Sequence, residues 1–333
     1  DAHSTMVTPV QAKRLEEAES SLQTDSIEGF LVDLDCPQAN VTMTTGFCSF
    51  LNRNIPLVIS ILMGKSAEHY AAHFSVVFQK SALPTDLESW NDSFPGNCCD
   101  FSDAERSGFE IALRRHCGIT DQTVDVNLEQ YFRCCSVHFK RTLTRVAGNG
   151  SLVPRDQERK MYEMGCELLN DELYTEEFIV KVEGIITAFP KLKRWLYWYI
   201  NRGEFIFPAM QRSGGMQSNS FFNHISKDTN AQEAVGGDFQ ATSSSKKVSI
   251  GECVDHTFRF VTQVKMDYDA VSRGATIRYK RQKKSKYVND GRPPDTTAQL
   301  ARTTTARKLP RSKSIIDESH PPDTTTALLV GTT

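Results

Sequence analysis

The stretch Cys99–Leu113, "CDFSDAERSGFEIAL", carries the reading of the fold. The segment "PGNCCDF" (95–101) is a poor strand by composition, yet it ends in Asp100 and is followed at once by Ser102-x-x-Glu105. That spacing is a capping box, in which the serine hydroxyl takes a backbone N–H three residues on and the glutamate reaches back. A helix is therefore predicted from this box to about Gly118. A strand that delivers a carboxylate and turns straight into a capped helix is a building unit of α/β proteins.

Outward from this unit the chain reads as further strands and helices. Upstream, "GFLVDLD" (29–35) is a short apolar run ending in acids and is predicted as a strand. "VTMTTGFCSFL" (41–51) and "IPLVISILM" (55–63) are two β-rich runs separated by "NRN", which predicts a hairpin. "SAEHYAAHFSVVFQKSAL" (66–83) places Tyr70, Phe74, Val77 and Phe78 at helical spacing behind Ser66 as N-cap. Residues 1–26 are polar, with a weak helical pattern from Val10 to Leu22.

Downstream, residues 128–137 read as a strand and "HFKRTLTRVA" as a helix closed by Gly148. Residues 154–210 read as helical, 213–230 as a Ser/Gly/Asn-rich loop and 251–273 as a weaker helix. The order strand-strand-strand-helix-strand-helix-strand-helix is that of an RNase H-like mixed α/β sheet. An α-helical insertion then precedes the last catalytic helix. The expected divisions are an N-terminal polar segment (1–26), the core (27–150), the insertion (151–212), the loop and closing helices (213–275) and a basic Thr/Pro-rich tail (276–333).

Charge is unevenly spread. Hydrophobic residues make up 39% of the 333 residues, and the net charge is −2. Between Arg273 and His320 there are 13 Lys/Arg against 4 Asp/Glu, whereas the rest carries 26 against 37. An acidic body with a basic tail points to a polyanionic partner. The tail is poor in large apolar residues and is expected to be disordered; its near-repeat, "RPPDTTAQL" (292–300) and "HPPDTTTAL" (320–328), is low-complexity sequence. "RYKRQKKSK" supplies Arg278, Lys280, Arg281, Lys283, Lys284 and Lys286, which read as a nuclear import signal, a phosphate-binding arm or a solvated linker. No run of about 18 apolar residues predicts a membrane span. The nine cysteines show no disulfide framework and no secretory leader is apparent, so a reducing compartment is expected.

In the expected topology the strand ending at Asp33 or Asp35 lies mid-sheet beside the strand ending at Asp100. Carboxylates at one end of adjacent strands suit Mg²⁺ or Mn²⁺, and two such ions activate an attacking oxygen and stabilise a leaving one on phosphate. Glu233, in "DTNAQEAV" (228–235), is the third acid if a late helix folds back across the sheet. Cys134 and Cys135 precede His138 in "YFRCCSVHFKR" and, with Cys98 or Cys99, form an alternative zinc site; buried thiols are the plainer reading. The aromatics of "RWLYWY" (194–199) stack on bases or serve the core.

These pieces together resemble the transposases of Mutator-like elements, particularly the branch common in fungal genomes. "CDFSDAERSGFEIAL" resembles the family's second-aspartate motif and "CCSVHFKRTLTRVAGNGSLVP" its Cys-x-x-His segment, with Cys135 and His138 in the matching places. "FPKLKRWLYWYINRGEFIFPAM" resembles the Trp-rich insertion and "TNAQEAV" the third-acid motif. The resemblance implies an RNase H-like domain with an Asp-Asp-Glu triad and Mg²⁺ or Mn²⁺ as cofactor. It also implies phosphodiester hydrolysis at element ends with strand transfer into DNA, in the nucleus, by a homo-oligomer. Carried over by position, Asp100 is the second acid and Glu233 the third. The first acid is Asp33 or Asp35: Asp33 fits the family pattern by spacing, and Asp35 fits slightly worse in register. Cys135 and His138 are expected to support the acid cluster. The Phe-Lys of the family's first motif is missing here, and Gly236-Gly237 follow Glu233, weakening the helix expected to carry it. A non-catalytic, transposase-derived DNA-binding protein is the alternative.

Overall fold

The computed structural model describes residues 3–6, 21–33, 36–81, 83–94, 96–126, 128–170, 173, 175–201, 225–243 and 245–277. The strands are β1 (His3–Met6), β2 (Leu22–Ile27), β3 (Asn40–Cys48), β4 (Arg53–Leu62), β5 (Asn97–Cys99) and β6 (Phe132–Cys134). They form one mixed sheet in the order β1-β4-β3-β2-β5-β6. β1, β4, β3 and β2 run antiparallel to their neighbours. β5 lies parallel to β2, and β6 parallel to β5. The helices are α1 (Ala67–Lys80), α2 (Asp103–His116), α3 (Ser136–Ala147), α4 (Glu158–Glu167), α5 (Thr175–Ala188), α6 (Lys193–Asn201), α7 (Asn230–Ala241) and α8 (Ile250–Ser272). The fold is α/β.

The hairpin predicted from the two β-rich runs is β3–β4, whose residues are buried along almost their whole length. Strands covered on both faces lose the apolar/polar alternation, and helices pack on both sides here. α1 and α2 lie together on one face; Phe74 and Phe78 of α1 meet Phe109 of α2 edge-on at 5.1 Å each, and Trp90 closes on Phe78 at 4.9 Å. The stripe Tyr70, Phe74, Val77 and Phe78 is buried as its spacing predicts. Each such side chain contributes about 1.5–3 kcal/mol by leaving water. His73 on the same face is buried too. It stays satisfied because its ring nitrogens lie 2.8 Å from Thr44 Oγ1 and 2.8 Å from Ser60 Oγ. On the opposite face α7 packs on β2, β3 and β4, and α8 on β4 and β1.

The run "GFLVDLD" does not form the central strand. Among the described residues of this run only Leu31 makes a bridge, to Val248, and Val32 is exposed. Its apolarity serves a different contact: Phe30 packs on Phe239 of α7 at 5.3 Å and on His256 of α8 at 5.7 Å. The central strand is the more polar "LQTDSI" just upstream, so the helical pattern read through Leu22 fails there. Its polar residues are paired within the sheet: Thr24 Oγ1 lies 2.7 Å from Thr44 Oγ1 and donates to Asn97 Oδ1 at 3.1 Å.

The aromatics of α6 divide. Trp195 and Tyr199 pack on Phe139 of α3 at 6.2 and 5.2 Å, while Tyr197 and Trp198 are exposed. The basic cluster Arg278, Lys280, Arg281, Lys283, Lys284 and Lys286, the tail repeats and Asp35 lie outside the described residues.

Candidate active site

Strand register decides which acids meet. Gln23 of β2 pairs with Cys98 of the parallel β5, so two residues on, Asp25 comes level with Asp100. Asp25 therefore takes the place expected of Asp33. Asp33 stands past the end of β2, where its Oδ1 accepts the Cys36 N–H at 3.2 Å in a local turn. Asp33, expected from the sequence to be catalytic and metal-binding, is therefore not brought beside Asp100, where Asp25 stands instead.

Glu233 arrives on the first turn of α7. That helix is docked on β2 by two glutamines. The Gln232 backbone N–H donates to Gln23 Oε1 at 3.0 Å, and its Nε2 donates to the Asp25 carbonyl at 3.4 Å. Gly236 faces Ile27, where a Cβ would meet side-chain carbons at 3.5 Å, so the helix lies close to the strand. The Gly-Gly pair has not prevented the helix, because packing on the sheet offsets its low propensity.

α3 completes the site. Cys135 is its N-cap residue, and the Cys135 Sγ accepts from both the backbone N–H and the Oγ1 of Thr229 at 3.4 Å. His138, in the first turn, places Nδ1 2.6 Å from Asp100 Oδ1 and Nε2 3.5 Å from Glu233 Oε1. One imidazole thus spans the two carboxylates. Arg141, three residues on, grips Glu233 with two parallel bonds, at 2.7 Å to Oε1 and 3.0 Å to Oε2. Its first nitrogen also lies 3.0 Å from His138 Nε2.

The electrostatics follow from crowding. Burial, then the neighbouring Asp100, pushes the Asp25 carboxyl up to about 8. Glu105, fully enclosed one turn into α2, is pushed well above the carboxylate range by burial and by Asp25 and Asp100. It accepts the Asp100 backbone N–H. Ser102 caps α2 as predicted, accepting the Glu105 N–H at 3.2 Å, but the Glu105 side chain turns inward to the acids. Burial works against charge on His138, yet Asp100 and Cys135 outweigh it and raise the imidazole to about 10. The Arg141 contact at Nε2 opposes that rise, because a guanidinium needs a lone pair there.

The expected clustering of Asp100, Glu233, Cys135 and His138 is therefore found. The zinc set pairing Cys134 with Cys135 is not. Adjacent strand residues face opposite sides of a sheet. Cys99 and Cys134 lie in the main core, while Cys98 and Cys135 pack with Ile225 on the other side. Burial raises the Cys98, Cys99 and Cys134 thiols far above their usual range, so they stay protonated.

Asp25, Glu105 and Arg141 escaped the sequence reading. The available signal for Asp25 was "TDS" ahead of the "EG" turn. For Arg141 it was the i, i+3 spacing from His138. The chain matches no protein-family model and no curated protein.

Proposed function

We propose that the chain is the RNase H-like catalytic domain of a Mutator-like DNA transposase. It would hydrolyse phosphodiester bonds at element ends and join them to target DNA. The observation that carries this reading is the meeting of three acids: Asp25 and Asp100 on adjacent parallel strands, and Glu233 on a late helix crossing the sheet. The strand order, an antiparallel β4-β3-β2 set continued by parallel β5 and β6, supports the same reading.

The residues fit a hard divalent cation. Asp25 is a carboxyl raised to about 8 by burial and like charge, and Asp100 Oδ1 is buried 2.6 Å from His138 Nδ1. A cation is the partner that restores charge to an acid raised as Asp25 is. Asp25, Asp100 and Glu233 would hold Mg²⁺ or Mn²⁺, which supplies activation of the attacking oxygen and stabilisation of the leaving one on phosphate.

The protein's own part is positioning. Two carboxylates are fixed by strand register, and the Glu105 acid anchors the backbone of the second. His138 holds a proton on Nδ1 against Asp100 Oδ1, and Arg141 orients Glu233. Arg141 must yield at least one Glu233 oxygen for that carboxylate to ligate.

That clamp favours the second reading, a transposase-derived DNA-binding protein without catalysis, whose site charges are satisfied internally. A nicking assay on duplex DNA separates the two. Catalysis predicts nicking only with Mg²⁺ or Mn²⁺, lowered by Asp100→Ala on the order of 10²-fold or more. Equal rates for both proteins refute it.

A further inference from the structure

The same pocket holds a second kind of ligand set. Asp100, Cys135 and His138 each offer one donor atom, and the three atoms lie within 4.8 Å of one another. We propose that Asp100 Oδ1, Cys135 Sγ and His138 Nδ1 form a three-ligand site for a borderline transition ion of the Zn²⁺ class. This site is distinct in chemistry from the all-oxygen site of Asp25, Asp100 and Glu233, and it shares only Asp100 with it.

Four features carry the inference. Asp100 Oδ1 and His138 Nδ1 are both buried and face each other at 2.6 Å, where an ion would replace the proton that His138 presents to Asp100. Cys135 Sγ receives two donors from Thr229, its N–H and its hydroxyl, which is support suited to a thiolate. The far nitrogen of His138 faces the Glu233 carboxylate at 3.5 Å, a partner that fixes a ligating imidazole once Arg141, 3.0 Å from the same nitrogen, moves off it. A thiolate and a carboxylate together balance the charge of one divalent ion.

Thiolate and imidazole select Zn²⁺ over Mg²⁺, and three protein ligands leave the fourth tetrahedral position open to water. At metal–ligand lengths of about 2.0 Å to N and O and 2.3 Å to S, the Asp100–His138 gap opens to roughly 3.3 Å. Side-chain rotation of the two residues supplies that much. On binding, the Cys135 thiol proton and the His138 Nδ1 proton go to solvent, Arg141 moves off Nε2, and the imidazole keeps one proton there, towards Glu233. The ion occupies Asp100, so Zn²⁺ would inhibit Mg²⁺-dependent cleavage; this consequence rests on the function proposed above, whereas the binding does not.

Cobalt reports the site directly. The folded chain titrated with Co²⁺ under reducing conditions is expected to take up one equivalent. A thiolate-to-cobalt charge-transfer band should appear, and Zn²⁺ should displace it. Cys135→Ser removes the band; Cys117→Ser, at the end of α2 and outside this cluster, retains it. Asp100→Asn and Thr229→Val keep the band but weaken affinity on the order of 10-fold or more. No band in the wild type, a band surviving Cys135→Ser, or affinity unchanged by Asp100→Asn would overturn the proposal. A protein that shows the band but never nicks DNA fails the transposase reading alone, and one that nicks with Mg²⁺ but shows no band fails this inference alone.

Discussion

Asp25 carries an electrostatic cost in the folded chain. Its carboxyl, ordinarily near 3.8, is raised to about 8 by burial and by Asp100. Below about pH 4 the folded and unfolded chains both hold this proton. Between 4 and 8 only the folded chain holds it, so the group's contribution to stability falls as pH rises through that window and levels off above it. Asp25→Asn removes the penalty. In melts without divalent ions the variant should match wild type near pH 4 and exceed it at pH 8 by at least about 1 kcal/mol, or about 2–4 °C. Added Mg²⁺ should shrink that gap, because a cation restores the charged form. Equal melts at pH 8 would mean that Asp25 is not crowded by its neighbours. Asp100, Glu233, Cys135 and His138, which the fold brings together as the sequence suggested, each sit in a motif with a local signature. Asp25 had none: its neighbours Thr24 and Ser26 are polar residues that pair inside the sheet and mimic a loop.

At the scale of elements, glycines set how closely helices approach. A Cβ on Gly108 of α2 would stand 2.5 Å from Tyr70 Cβ and 2.8 Å from the Ala67 carbonyl oxygen. Gly108→Ala should therefore force α1 and α2 apart and destabilise by about 1–3 kcal/mol. Gly236 differs, since its added Cβ meets Ile27 at an ordinary 3.5 Å. Gly236→Ala should gain up to about 1 kcal/mol of helix propensity. Urea titrations of the two variants check both signs, and a stabilising Gly108→Ala would refute the close packing. Helices were readable because their apolar spacing and caps are local, as at Ser102 and along Tyr70–Phe78. The central strand was not, because its assignment depends on which neighbours satisfy its polar groups. The more apolar 29–33 run was drawn off to pack beneath α7 and α8.

For the whole molecule, the alternation of strands and helices foretold a mixed sheet with parallel strands beside an antiparallel hairpin. Register was beyond reach, since a shift of one residue exchanges the two faces of a strand. Only the pairing of Gln23 with Cys98 shows that Asp25, and not Asp33, comes level with Asp100. Contacts spanning nearly the whole described chain then build the site, from Gln23 on β2 to Gln232 and Glu233 on α7. The central claim is that Asp25, Asp100 and Glu233 act as one cation-dependent site on DNA. Its most direct test is Mn²⁺-dependent nicking by Asp25→Asn and Asp33→Asn proteins side by side. The account predicts that Asp25→Asn loses activity on the order of 10²-fold or more while Asp33→Asn keeps it. Loss in Asp33→Asn with activity retained in Asp25→Asn would contradict it.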